Sequence, residues 1–255
     1  MTENEKAVRA LFVNLLENAP NKTMIPGRNL GDVGKEPLIW QDILSKLNLK
    51  PGTSLLDVGC GYGALTDLCV EYCMRNDIRL TLVDAPEIIS KHQSELSSRF
   101  GRQIEFISGY FPKATTAILK GRRFSNVLSY SVLHYVDDPG EFVLETVALL
   151  ENGGRILIGD IPNPNKKARF LCSETGRKIE AKHRKLPLDS VPKYLDPQEF
   201  IRQNEAALNM KIGDEFLGNC VTQLRSRGLE AFLMPQPDGL PVNWTREDLL
   251  IQSYA

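Results

Sequence analysis

The chain has 255 residues, 42% of them hydrophobic and 25% charged, with a formal net charge of −1. That composition excludes a disordered chain and supports one domain with additions, while the charge balance excludes a global drive toward nucleic acid or an anionic membrane. No apolar run approaches the roughly 20 residues that span a bilayer, and Met1 to Lys6 is polar with no signal core behind it, so a cytoplasmic protein is expected.

Val8, Leu11, Phe12, Leu15 and Leu16 follow helical spacing, so the chain opens on an amphipathic helix that must pack on something. Asn21 to Gly34 has glycines, prolines and no period, and reads as a mobile loop. A second helix, Pro37 to about Leu47, leads through Pro51-Gly52 to a first strand, Ser54 to Val58. Helix Ala64 to Arg75 follows, and Cys69 and Cys73 complete its apolar stripe with Leu65, Leu68 and Tyr72, so they read as core. The cysteines show no zinc spacing, no metal is expected, and their odd count argues against a disulfide framework. Strands are predicted at Arg79 to Val83, Ile104 to Ile107, Asn126 to Tyr130 and Arg155 to Ile158, with helices between them, one after Pro86 and one after Pro139. Such alternation predicts a mostly parallel sheet with helices on both faces, whose ligands sit at the carboxyl ends of the strands.

The chemistry gathers at those ends. Leu55 to Gly63 reads Leu-Leu-Asp-Val-Gly-Cys-Gly-Tyr-Gly, an apolar run that ends in an acid and breaks into alternate glycines before a helix. Gly59, Gly61 and Gly63 let backbone approach a ligand, and the helix behind them offers unpaired N–H groups to an anionic group. Asp84 ends the second strand about twenty residues further on, where an acid can hold ribose hydroxyls. The third glycine arrives one residue early for a nicotinamide-binding fingerprint. With Asp57 two residues before Gly59, the stretch resembles motif I of the class I methyltransferases that depend on S-adenosylmethionine (SAM), and the order of elements fits from Thr53 to Ile161.

That resemblance implies a Rossmann-like α/β fold with a seven-stranded sheet, an N-terminal helical extension and a lid insertion after the fifth strand. Residues 1–50 are expected to cover the site, 51–161 to form the SAM-binding core, 162–195 to form a basic lid, and 196–255 to complete the sheet. Leu229 to Met234 and Asp248 to Ser253 match the family's last two strands, one of them antiparallel, after helices at Pro197 to Leu208 and Phe216 to Arg225. It further implies that Asp57 and the glycine turn hold the methionine end and Asp84 the ribose. The acid that contacts adenine in many relatives is replaced by Ser108-Gly109-Tyr110-Phe111, which leaves Tyr110 or Phe111 to pack on the ring; Ser129 falls beside the cofactor.

Methyl transfer from a sulfonium rests on orientation and on deprotonation of the acceptor. Candidates for the base are His134, in a Leu-His run that small-molecule methyltransferases share, Asp160 at the end of the fifth strand, and His183 in the basic segment; His92 falls on a helical stripe with Ile89, Leu96 and Phe100 and reads as structural. The segment 162–195 carries Lys166, Lys167, Arg169, Arg177, Lys178, Lys182, Arg184 and Lys185 against Glu174 and Glu180, which reads either as a solvated face or as a clamp for an anionic acceptor. Gly159 to Asn163, Phe170 to Gly176 and the stretch from Pro235-Gln236-Pro237 through Arg246 to Ile251 are similar to methyltransferases from bacterial surface-polysaccharide gene clusters. The resulting expectation is O-methylation of a sugar or nucleotide-linked sugar. A quinone or natural-product C- or O-methyltransferase, a SAM-binding subunit or sensor without turnover, and a nicotinamide dehydrogenase are the alternatives; a homodimer is compatible with the family.

Overall fold

A computed structural model describes residues 3–18 and 34–255. The loop expected from Asn21 to Gly34 lies outside the described residues except for its last glycine. Helix α1 spans Glu3–Asn18 and α2 Glu36–Leu47. Then strands and helices alternate: β1 Ser54–Val58, α3 Ala64–Arg75, β2 Arg79–Asp84, α4 Pro86–Phe100, β3 Ile104–Ser108, a single turn α5 Thr116–Leu119, β4 Phe124–Tyr130, α6 Pro139–Val147 and β5 Leu150–Pro162. The chain closes with α7 Pro164–Cys172, α8 Glu174–Arg184, α9 Pro197–Asn204, α10 Asp214–Ser226, β6 Glu230–Pro235 and β7 Arg246–Gln252.

The strands form one sheet in the order β3-β2-β1-β4-β5-β7-β6, parallel except where β7 runs antiparallel to both of its neighbours. β1 is buried along its whole length, as a central parallel strand must be. Its alternate side chains feed two cores: Leu56 and Val58 meet Phe142, Ile158 and Leu217 on one face, Leu55 meets Ile39, Ile43, Val70 and Leu157 on the other. Cys69 and Cys73 pack into the second of these. Prolines at the first turn start α4, α6, α7 and α9, since their missing N–H costs nothing there. Among the described residues no helix is long and apolar enough to cross a membrane.

Two boundaries differ from expectation for tertiary reasons. β5 is 13 residues long instead of four because it pairs on one side with β4 and on the other with β7, and its register with β7 shifts between Ile158 and Ile161. α9 stops at Asn204, whose side chain turns back onto the Phe200 carbonyl at 2.8 Å, and a tight turn replaces the rest of the expected helix.

Candidate functional site

β1 delivers Val58 to the sheet edge, where the backbone turns through left-handed conformations at Gly59 (φ +72°) and Gly61 (φ +62°). A Cβ on Gly59 would stand 2.5 Å from a Val132 methyl carbon, while one on Gly61 would meet nothing within 4 Å. Gly59 is therefore required by both space and conformation, and Gly61 by conformation alone. The turn is tied down from all sides. Gly59 N–H donates to the Val83 carbonyl at 2.8 Å, Thr66 Oγ1 donates to the Cys60 carbonyl at 2.6 Å, and Asp84 accepts the N–H groups of Gly61 at 2.7 Å and Ala85 at 2.6 Å. His92 Nε2 lies 2.7 Å from the Gly61 carbonyl, which can only accept, so that nitrogen carries the proton. The helical stripe foresaw that His92 is buried; the stripe could not show that its polar end grips the turn.

Two carboxylates stand toward the ends of neighbouring strands, Asp57 on β1 and Asp84 on β2. Burial, and then the charge of Asp84, push Asp57 up to about 8. Asp84 rises to about 6, again through burial, against the pull of the Gly61 and Ala85 N–H groups.

Above the strand ends lies a cavity of about 200 Å³. Gly59, Gly61, Gly63, Asp84, Tyr110 and Phe111 line it, as does Ser131 from the loop after β4. The facing wall comes from α1, through Val8, Phe12, Val13 and Leu16, and from Tyr135 and Val136. Phe12 meets Tyr135 edge to face with ring centroids 5.4 Å apart, and Arg9 Nε donates to Glu87 at 2.7 Å, fastening the helix over α4. Phe111 rests edge to face on Phe142 at 5.2 Å.

The other residues singled out in the sequence stand off this wall. Asp57, in β1, is buried and does not line the cavity. Ser129 is fully buried, with its hydroxyl unpartnered among the described residues, and it is Ser131, two positions on, that reaches the cavity. His134, a candidate for the base, packs its ring against Tyr135 at 4.1 Å, and its Nδ1 is buried without a hydrogen-bond partner among the described residues. Burial, and then Arg246, lower its pKa to about 4, so the imidazole is neutral at pH 7 and a weak base. Asp160 accepts from the Ser131 hydroxyl and is thus one hydrogen bond behind the wall. His183 is exposed on α8.

No residue of 162–195 lines the cavity. Several of its cations are engaged at home: Lys166 Nζ donates to the Arg246 carbonyl at 2.6 Å, Arg169 pairs with Asp214, Arg177 donates to the carbonyls of Leu188 and Val191 at 3.3 and 3.2 Å, and Lys178 and Arg184 pair with Glu174 and Glu180 one turn away.

The profile of a family described as "Methyltransferase domain" matches residues 49–212, from the start of the sheet to the turn before α10. The chain belongs to this methyltransferase family. It has the class I, Rossmann-like fold, and SAM is its cofactor. The methyltransferase is 33% identical over 123 residues to the ubiquinone biosynthesis O-methyltransferase of Caulobacter sp. (strain K31), a match covering 48% of this chain and 45% of that protein. It thus spans about half the length of the curated relatives it matches. Among solved structures, the plantazolicin methyltransferase BpumL in complex with SAH (S-adenosylhomocysteine) superposes with a TM-score of 0.52 at 13% identity, over 99% of this chain and 100% of that one. A methyltransferase from Pyrococcus furiosus gives 0.50 at 12%, over 99% and 100%. At those identities the likeness is one of fold.

The methyltransferase's own residues fit the cofactor: an open backbone turn at Gly61, a carboxylate on the adjoining strand and an aromatic pair beyond it surround one cavity. Because His92 holds the turn, His92→Leu is expected to weaken SAH binding by about 1 kcal/mol, the size of one hydrogen bond, in a calorimetric titration. Unchanged affinity would mean that Asp84 and Thr66 hold the turn without it.

Proposed function

We propose that this methyltransferase methylates an oxygen of a small, largely apolar acceptor such as a phenol. The observation that carries this reading is the apolar part of the wall facing the glycine turn, built from Val8, Phe12, Val13, Leu16 and Val136, beside which stand Tyr135, Ser131 and the charged Arg9, Asp137 and Asp138. Similarity to a ubiquinone biosynthesis O-methyltransferase over 48% of the chain supports an acceptor of that kind. The sugar reading keeps the sequence resemblance, but the basic segment that favoured an anionic acceptor lies off the cavity with several of its cations paired.

In this reading the turn at Gly59, Gly61 and Gly63, with Asp57 before it, holds the methionine end, Asp84 the ribose, and Tyr110 or Phe111 the adenine. Bound there, SAM supplies an electrophilic methyl group on a good leaving group. Helix α1 excludes water from the reacting atoms. Ser131 already gives its hydrogen to Asp160, which leaves its lone pairs to accept from a substrate hydroxyl, and Asp160 stands ready to take a proton through it. Neutral His134 and exposed His183 have no part in this arrangement.

The test is SAH release from SAM in the presence of phenols and catechols on one side and nucleotide sugars on the other, with Asp84→Ala as the blank. Turnover of the phenols alone supports the proposal. Turnover of the nucleotide sugars alone replaces its acceptor, and tight SAH binding with no turnover of either class favours a binding subunit.

A further inference from the structure

At the cavity wall and just behind it two residues other than glycine adopt left-handed backbone, Ser131 (φ +61°) and Asp160 (φ +57°), and they are hydrogen-bonded to each other. Each such conformation costs on the order of 1–3 kcal/mol and persists only where surroundings impose it. Asp160 sits in the register shift between β5 and β7 and is gripped at every polar atom. Its N–H donates to Asp248 Oδ1 at 2.8 Å, its carbonyl accepts from Arg246 Nη1 at 3.3 Å, and Arg246 Nε lies 3.7 Å from its carboxylate.

Asp248 has no exposed surface. Its Oδ1 also accepts from Gln236 Nε2 at 3.1 Å, and its Oδ2 accepts from Lys46 Nζ at 2.6 Å. Lys46 in turn donates to Asp42 at 2.6 Å, one turn earlier on α2. Burial raises the Asp42 carboxyl against the pull of Lys46. A buried group of two carboxylates and one ammonium is a poor way to gain stability, because apolar side chains of similar size do as well or better. What the group does do is hold the Asp160 N–H, beside the contacts that Arg246 and Gln236 make to its carbonyl and carboxylate.

We propose that Asp248, backed by Lys46 and Asp42, is a positioning residue for methyl transfer: it holds Asp160 in its left-handed conformation and so aims Ser131 at the acceptor. The inference rests on the acceptor-side role given above to Ser131 and Asp160. It places the determinant of the acceptor site outside the cavity, on the face of the sheet covered by α2.

Two measurements test it. In a crystal structure of Asp248→Leu with SAH bound, where Lys46 still has Asp42 as partner, Asp160 is expected to leave Ser131; a retained Ser131–Asp160 contact overturns the proposal. With the acceptor found in the screen above, Asp248→Leu and Asp160→Asn are each expected to lower kcat at least tenfold, with SAH affinity changed less than twofold and the double variant no slower than the worse single one. Losses that multiply in the double variant overturn the proposal, since independent roles would add. A loss in Asp160→Asn without one in Asp248→Leu overturns the positioning role alone, whereas full activity in Asp160→Asn overturns the acceptor-side role on which it rests. If Asp248→Leu does not fold, the variant that also carries Asp42→Asn and Lys46→Met removes all three charges together and is read in the same way.

Discussion

Asp84→Ala is expected to weaken SAH binding by about 2–3 kcal/mol, roughly 30- to 150-fold. The carboxylate has two tasks. It accepts the N–H groups of Gly61 and Ala85, at 2.7 and 2.6 Å, and so fixes the backbone at the turn; in the proposed complex it also holds the ribose. Hydrogen bonds to an ionised acceptor contribute more than those between neutral groups, and alanine removes them all while leaving the Gly61 N–H without its partner. Calorimetric titration of SAH, with NAD as the control, measures the loss. An affinity within threefold of the wild type would show that the turn binds its ligand without this acid. Binding of NAD with comparable affinity would remove the assignment of the two ends of the cavity.

One contribution to the stability of the cofactor-free protein is expected to be lost as pH rises from about 4 to about 8, the reverse of the usual behaviour of paired carboxylates, while His134, lowered to about 4, contributes in the opposite sense between about 4 and 6.5. The cause of the loss is the pair on β1 and β2. Asp57 at about 8 and Asp84 at about 6 both lie above the roughly 3.9 of an unfolded aspartate, so between those values the native state holds more protons than the unfolded one. The stability that protonation preserves is fully present below the unfolded value and is lost as pH passes the folded ones. Discounted for relaxation and water entry, the loss is of order 2–3 kcal/mol, or about 5–10 °C in Tm for a chain of this size. Asp57→Asn removes the larger part of it. That variant is expected to melt higher than the wild type at pH 8 and equally at pH 4, with a flatter profile between; identical profiles in scanning calorimetry would mean that Asp57 ionises freely in β1.

Much of the frame was legible one residue at a time. The strands from Ser54, Arg79 and Ile104 start and end within a residue of their expected places, because short apolar runs between turn signals have one reading in a parallel sheet. The glycine turn and Asp84 were equally legible, since the chemistry there is held by residues close together in the sequence and by a conformation that glycine alone adopts without strain. His134 shows the limit. Its neighbours in sequence put it after a strand end, and only packing decided that Tyr135 takes the wall while the imidazole is left buried and neutral. The run of lysines and arginines was visible too, but its partners were not: Asp214 is 45 positions from Arg169, and the Arg246 carbonyl 80 from Lys166.

By itself, then, the sequence determined the α/β alternation, the glycine turn after the first strand and the acid at the end of the second. These follow from local periodicity and from backbone conformations that few residues tolerate. The tertiary structure alone decided that Ser131 rather than Ser129 reaches the cavity and that Lys46 meets Asp248 across 202 positions of chain. Such pairings carry no periodic signal, because they are set by which elements the sheet order brings side by side; β7 enters between β5 and β6, and with that insertion comes the carboxylate that holds Asp160 in place.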